Sequence, residues 1–461
     1  MHHVIIGGGP AATNAIETIR QFDGGASTIT LVCDEPAHSR MALPYWLAGS
    51  IPEAQTHTGD AAYFARLKVA TRFGIRVAAV DPQRKTVTLS DGNTLGFDDL
   101  LIATGSSPVQ PPIRGADLPG VQPLWSLEHT DRVMKHGETL PGRLPRVVLV
   151  GAGFIGFIVM NAMYKRKWPL AVVEREGRIL PRMLDASAAG HARRWLATRD
   201  IPVHCGVTVN EIRGEADGTK SVELSDGRAL TADVVILATG IRPNLDLLQG
   251  SGIATDEAIL VDDRMRTNFP YVYAGGDVAQ GPALFEGKKV VHPIQPTAVD
   301  HGRVAGANMA GHEVHYPGSL SMNVVDICGL QGASFGRWND AAAEAMTIDN
   351  ADGFIYRKLL WTGDQISGAI FTGKANDLGM LTDVGMIKGL MQTETRLGSW
   401  KKYLRDNPFD IRRAYVGCGV AAKLVGTTLL GRPAAARQFH FGSVEPKVPA
   451  NAAHAVFLAK R

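Results

Sequence analysis

Cysteine is scarce in this chain of 461 residues: there are four, Cys33, Cys205, Cys328 and Cys418, all far apart. Neither Cys-x-x-Cys nor Cys-x4-Cys occurs, so no zinc site of ordinary spacing and no local redox disulfide is encoded. Buried free thiols in a reducing compartment are expected, which places the protein in the cytoplasm. No uncharged apolar run reaches the roughly 18 residues that a membrane-spanning helix needs. Strand-like sequence starts at Val4, so no leader peptide is expected. Haem, iron–sulfur and other metal-ligand spacings are absent, and no metal is expected. Excess charge is small, a net of +3, and a nucleic-acid partner is not expected. Hydrophobic residues make up 45% and charged residues 20%, a globular composition long enough for about three domains.

Glycine is plentiful, and two stretches use it alike. Val4-Ile5-Ile6 runs into Gly7-Gly8-Gly9-Pro10-Ala11-Ala12, and Val147-Val148-Leu149-Val150 into Gly151-Ala152-Gly153-Phe154-Ile155-Gly156. Each reads as a buried parallel strand, a Gly-x-Gly-x-x-Gly/Ala turn and an apolar helix. The first glycine permits the turn, and the second lets backbone approach a pyrophosphate. The third small residue lets helix pack on strand, and the helix start presents free N–H groups. One such turn is weak evidence; two with the same downstream landmarks predict two dinucleotides. After the first, Thr28 to Cys33 reads as a strand ending in Asp34-Glu35, and Glu35 is favoured for the adenosine ribose. After the second, Leu170 to Glu174 is the equivalent strand.

Further landmarks repeat. Val77 opens a meander with turns at Asp81-Pro82 and Asp91-Gly92, returning through Leu100 to Ala103-Thr104-Gly105. Asp226-Gly227 and Ala238-Thr239-Gly240 match these, and both Gly–Gly separations are 13 residues. An internal duplication is the economical explanation. Tyr273-Ala274-Gly275-Gly276-Asp277 ends a short strand, and Pro296-Thr297-Ala298 opens a helix. Antiparallel patterning takes over near Ser319. The fold class expected is α/β: two doubly wound Rossmann-like domains, one inserted in the other, plus a C-terminal α+β domain. The divisions are 1–118 and 245–318 for the outer domain, 119–244 for the inserted one, 319–387 for the third, and 388–461 for a basic extension.

This combination resembles the pyridine nucleotide–disulfide oxidoreductases over roughly residues 1 to 380. The resemblance implies FAD on the first fold and NAD(P)H on the second. It places Gly7, Gly9, Pro10, Ala11, Ala12, Glu35, Val77, Ala103, Thr104, Gly105, Gly276 and Asp277 at FAD, with Asp277 on the ribityl chain. Thr297 and Ala298 would face the flavin with backbone donors. Gly151, Gly153, Phe154, Ile155, Gly156, Glu174, Thr239 and Gly240 would serve the nicotinamide cofactor. Glu174 favours NADH; Arg175 and Arg178 make NADPH the alternative. Several branches carry a cysteine on or near the first helix or in the following loop, and the coenzyme-A-disulfide-reductase branch places one just before a Gly-Leu-Pro-Tyr sequence. Here Ala42-Leu43-Pro44-Tyr45 follows Met41, so thiol chemistry lacks its nucleophile. The flavin module of the nitrite reductase large subunit and the rubredoxin reductases remain most similar. In them a basic residue lies in this loop, and Arg40 fits that slot as the catalytic candidate, stabilising negative charge on the flavin. The alternative for Arg40 is a surface ion pair. Ile158 stands where the family often has a glutamate near the nicotinamide.

The activity implied is hydride transfer from NAD(P)H to FAD, then electron delivery to an acceptor, with no redox disulfide. A thiol or CoA-disulfide-type reductase using one of the scattered cysteines is the first alternative. A flavin-bearing protein that senses NADH is the second. His38, His57, His292 and His301 stand isolated and read as structural or surface groups. A homodimer is expected. Residues 388–461 hold 13 Lys and Arg against four Asp and Glu. Three readings compete for this basic segment: a solvated extension, a dock for an acidic electron-carrier protein, and attachment to an anionic membrane through Ala414 to Leu430, the least favoured.

Overall fold

The structure is a computed structural model that describes residues 1–140 and 142–426. Its first sheet is five-stranded and parallel, in the order Val272–Ala274, Asp99–Ile102, His2–Ile6, Thr28–Cys33, Val69–Phe73. The β-branched runs explain it: Ile5 pairs with both Leu31 and Leu101, and all three are fully buried. The second sheet repeats the topology with Val121–Gln122, Val234–Leu237, Val147–Val150, Leu170–Glu174 and Val203–Cys205. Each half also carries a three-stranded antiparallel meander, Val77–Asp81 to Thr94–Gly96 and Val209–Gly214 to Ala229–Ala232. The chain passes between halves through one antiparallel pair, Ser106–Pro108 against Ile241–Pro243.

The first helix, Pro10–Asp23, is held by the helix Gln295–Met309. Cβ atoms at Gly302 and Gly306 would stand 2.2 Å from the Ala11 carbonyl oxygen and 2.6 Å from that of Ala15. The two helices therefore meet backbone to backbone, and no larger residue fits at either glycine.

The third sheet is antiparallel, ordered Met322–Ile327, Leu330–Gly336, Gln365–Lys374, Ile355–Thr362, Glu344–Asn350. It is covered on both faces, as alternation along Gln365–Lys374 requires. Ile370 joins a core shared with Trp195, Met183 and Ala188 of the second Rossmann unit. Phe371 joins the opposite core with Phe335, Trp361, Ile387 and Leu404. Among the described residues no helix is long and apolar enough to cross a membrane.

The boundary expected after residue 387 falls inside the helix Leu378–Gln392. Leu390, Met391, Leu397, Leu404, Ile411, Ala414 and Val420 are all buried in the third domain's core. Residues 388–426 are therefore part of that domain and not an extension. Their cations are largely neutralised at home. Lys401 and Arg405 both bind Glu344, and Arg413 lies 3.0 Å from Asp410. The apolar stretch from Ala414 is broken at Gly419, whose φ is +65°, into helices Ile411–Gly417 and Val420–Gly426. It presents no continuous membrane face up to that point. Thr427 to Leu430 of the expected interfacial stretch, and the Pro/Ala-rich end from Arg432, lie outside the described residues.

Leu404→Ala is expected to destabilise the protein by about 2–5 kcal/mol, the range for a fully buried leucine. A urea titration followed by tryptophan fluorescence reads it. A change under about 0.5 kcal/mol would restore the picture of a loosely attached extension.

Candidate active site

Gly7 adopts φ +100°, and a Cβ there would stand 2.2 Å from the Ala103 carbonyl oxygen. The turn thus rests on Ala103-Thr104-Gly105. Gly9 caps the first helix without any side-chain bond, and a Cβ at Gly9 would meet nothing within 4 Å. Pro10 has no N–H to leave unpaired. The N–H groups of Ala11 and Ala12 remain, on residues only 3% and 0% exposed. A buried, uncapped helix start with open space before it fits a pyrophosphate. The second turn repeats this, with Gly151 against Ala238, open space at Gly153, and Gly156 against the Gly151 carbonyl.

One cavity of about 200 Å³, open to solvent, runs from the first turn to the start of the helix that follows the second, and Gly151, Gly153 and Gly156 themselves do not line it. It is lined by Gly7, Gly9, Pro10, Ala11, Glu35, Arg40, Ala103, Thr104, Gly105, Gly276, Asp277 and Ala298 from the FAD set, and by Phe154 and Ile155 from the nicotinamide set. Ala12 is buried behind the turn. Val77 stands apart in the first meander, paired with Leu89. Glu174 does not line the cavity. Its carboxylate accepts the Ala152 N–H at 2.6 Å and the Glu176 N–H at 2.8 Å, bracing the glycine turn. Thr239 donates to the Val109 carbonyl, and Gly240 accepts from the Val109 N–H, so both knit the inter-domain linker. Thr297 is buried, and the Ala298 N–H is already spent on the Ile294 carbonyl at 3.1 Å. Ordinary helix geometry thus engages the N–H expected to donate from Ala298, while Ala298 and Gln295, at the start of the same helix, both line the cavity.

Glu35 carries a buried oxygen, Oε2, without a hydrogen-bond partner. It lies 3.5 Å from His38 Nε2, which is equally unpartnered. His38 bonds the Pro36 carbonyl through Nδ1 at 2.9 Å, so Nδ1 carries the proton there. Burial pushes the His38 pKa down, leaving Nε2 an acceptor. Two buried acceptors lie side by side, and the two hydroxyl donors of a ribose diol would satisfy one each. His38 is thus part of the site and not an isolated histidine.

Arg40 has no carboxylate within ion-pair distance among the described residues, which removes its surface-pair reading. Its guanidinium lies 5.0 Å from the centre of the Trp125 ring and beside Gly105. Trp125 donates to the Ser106 carbonyl at 2.9 Å, and the Ser106 hydroxyl donates to Asp277 at 2.6 Å. Nothing local in the sequence signals Trp125 or Ser106. Much of the rest of the wall is apolar: Leu43, Pro44, Leu124, Ile158, Val159 and Ile241. The thiols are held protonated by burial. Burial pushes Cys33, on the cavity wall, up to about 11 and Cys328 up to about 12. Among the described residues no group of three or more His, Cys, Asp or Glu is arranged to hold a metal.

His301, on the helix Gln295–Met309, accepts the Gly276 N–H at Nδ1, 3.3 Å away, and so fixes the turn that carries Asp277. Complete burial drives its pKa down to about 3. The unfolded chain, near 6.5, then binds a proton before the folded one does, so stability falls as pH drops from 6.5 toward 3. His301 alone should remove about 2 kcal/mol between pH 7 and pH 5. His301→Asn keeps an acceptor for Gly276, and its urea midpoint should vary less over that span; an unaltered slope would show that His301 does not titrate this way.

The two glycines of the first turn should fail differently. Gly7→Ala collides with backbone and should lose the fold. Gly9→Ala meets only open space and should fold with a wild-type melting temperature, yet bind FAD at least about tenfold more weakly. Equal FAD affinity in Gly9→Ala would remove the pyrophosphate from this turn.

Comparison with known proteins agrees with this geometry. Residues 1–302 match the family described as pyridine nucleotide-disulphide oxidoreductase. The NADH-dependent phenylglyoxylate dehydrogenase subunit epsilon of Aromatoleum evansii is 30% identical over 415 residues, 89% of this chain and 96% of that protein. The NAD(P)H nitrite reductase of Bacillus subtilis is 28% identical over 81% of this chain and 46% of its own length. Among solved structures, an NAD-dependent persulfide reductase from A. fulgidus superposes with a TM-score of 0.78 at 29% identity, over 87% of this chain and 78% of that one. Putidaredoxin reductase, in its covalent complex with putidaredoxin, shares the fold with a TM-score of 0.81 at 21% identity, over 91% and 99% of the two chains. With the family match spanning both glycine turns and the cavity between them, the chain belongs to the pyridine nucleotide-disulphide oxidoreductases and is an FAD-dependent NAD(P)H oxidoreductase.

Proposed function

We propose that the protein takes hydride from NADH onto FAD and delivers the electrons singly to a small electron-carrier protein, without a redox disulfide. The observation that carries this reading is the single cavity that runs from the first glycine turn to Phe154 and Ile155, at the helix start of the second unit, because hydride transfer needs the two cofactors in contact. FAD, when bound, supplies the conversion between a two-electron donor and one-electron acceptors. The chain's own residues do the rest. Ala11 and Ala12 bind phosphate through N–H groups, Glu35 and His38 hold a ribose, and Ser106 orients Asp277. Phe154, Ile155 and Ile158 exclude water from the nicotinamide side. Arg40, permanently charged and paired with no carboxylate among the described residues, supplies positive charge to the flavin end. In this reading residues 1–118 and 245–318 form the FAD domain and 119–244 the nicotinamide domain, in a cytoplasmic homodimer.

Several observations favour NADH. The Glu174 carboxylate, at the end of its strand, would repel a 2′-phosphate. Arg178 is spent on the carbonyls of Leu184 and Pro181, and Arg175 is paired with Glu176. A protein acceptor is supported by names among the relatives: "subunit epsilon" for the Aromatoleum protein, and "electron transfer subunit" for an assimilatory nitrate reductase protein of Bacillus subtilis that is 25% identical. Service as the flavin subunit of a larger complex fits both. The raised thiol pKa values speak against a thiol reductase. The NADH-sensing reading has Ile158 as its only support.

Under anaerobic stopped flow, NADH should bleach the flavin with a second-order rate constant at least about tenfold above that for NADPH. Replacing all four cysteines by alanine or serine should leave that rate and turnover with the acceptor intact. Loss of acceptor turnover with flavin bleaching preserved would revive the thiol mechanism.

A further inference from the structure

If a protein carrier takes the electrons, it must approach the cavity mouth. Most cations of the third domain's helices are bound to their own carboxylates and cannot attract it. Lys165, Arg166 and Lys167 are different. They follow one another at the end of the helix Phe154–Lys165, whose first turn lines the cavity. No carboxylate pairs with any of them among the described residues. Glu128 and Asp131, on the helix Leu127–Glu138, are already taken by Arg132 and Lys135. A helix dipole accounts for one terminal cation, worth about 0.3–1 kcal/mol. It does not account for Lys167, which lies beyond the helix end at φ +61°.

The apolar surroundings point the same way. The short helix Leu43–Leu47 begins on the cavity wall with Leu43 and Pro44 and turns Tyr45 outward, 53% exposed. Met41, also on the wall, is 40% exposed. Lys165 Nζ lies 5.8 Å from the Tyr45 ring centre, and Arg166 bonds the Leu47 carbonyl. Met41 on the cavity wall and the exposed Tyr45 next to it thus lie beside Lys165 and Arg166, with Lys167 the next residue along the chain. Interfaces favour this composition: apolar anchors at the centre and steering charge around them.

We propose that Lys165, Arg166 and Lys167, around Tyr45 and Met41, form the docking face for an acidic one-electron carrier protein. The assignment rests on the carrier reading above. The balance is one NADH and two oxidised carriers giving NAD⁺, one proton released to solvent and two reduced carriers. Electrostatic docking should speed association at low salt and fade as the Debye length shrinks.

The test uses the full-length, FAD-loaded protein, NADH, and an acidic rubredoxin as the probe carrier. Menadione, small and uncharged, is the reference acceptor. Lys165→Glu/Lys167→Glu leaves Arg166 and its bond to Leu47 in place. At ~0.02 M ionic strength this variant should reduce rubredoxin about tenfold more slowly, converging on wild type at ~0.5 M. Flavin bleaching by NADH and menadione turnover should not change. Lys165→Gln/Lys167→Gln, which only neutralises and is milder on folding, should lose about threefold. A wild-type rate with rubredoxin in either variant overturns the docking face and leaves the carrier reading standing. A wild-type protein that reduces menadione but not rubredoxin overturns the carrier reading, and the face with it. Dissociation of a dimer in the charge-reversed variant, seen by sedimentation, would assign the face to a second copy of this chain and also overturn the proposal.

Discussion

A helix start that is buried without a cap is the constraint on which the site depends. Each unsatisfied buried N–H costs about 1–3 kcal/mol. The N–H groups of Ala11 and Ala12 have no acceptor within the helix, and the turn offers no serine, threonine, aspartate or asparagine side chain to cap them. The protein could have filled the space at Gly9 with a side chain and did not. A phosphate ester supplies the missing acceptors and complements the positive end of the helix at once. The rest of the first domain keeps that helix end in place. Gly7 seats the turn on Ala103, and Gly302 and Gly306 bring a second helix onto the backbone of the first. These contacts leave no slack for the helix to rotate its N–H groups away.

The two Rossmann units share a topology but differ in what stiffens them. The first is braced from within, by the helix Gln295–Met309 and by His301 on the Gly276 turn. The second is braced from outside: its helix Ala186–Ala197 packs on the third sheet through Trp195, with His191 2.7 Å from Asp349 and Asp185 bonded to Tyr356. Trp125 and Ser106 lie where the units join, so the cation–π contact at Arg40 and the hydrogen bond at Asp277 both depend on the relative setting of the two halves. Cofactor geometry is thereby coupled to domain geometry by two short contacts.

What the sequence made legible was what local backbone dictates. A glycine that must hold positive φ, an apolar strand feeding it, and a Gly-Gly-Asp turn are written in consecutive residues, and the duplication doubled each signal. Contacts between distant residues were illegible. Ser106 to Asp277 spans 171 positions, and His301 to Gly276 joins two elements whose pairing only the fold decides. Glu174 reads as a ribose ligand because acids end such strands. The same carboxylate can brace its own glycine turn, and composition cannot separate the two uses.

The C-terminal helices show why charge counts mislead. Leu397, Leu404 and Ile411 recur every seven residues and are 3% exposed or less, yet they are set among so many cations that the segment reads as solvated. Net charge is a sum over a segment, whereas a docking partner feels only charge left uncancelled at short range. Lys401 and Arg405 contribute two charges to the sum, and Glu344, on a neighbouring strand, cancels much of their field. Three cations in Lys165 to Lys167 add little to any tally of the chain and are cancelled by no carboxylate among the described residues. Position relative to acids, which the fold sets and the sequence conceals, therefore decides where the electrostatic surface of this flavoprotein lies.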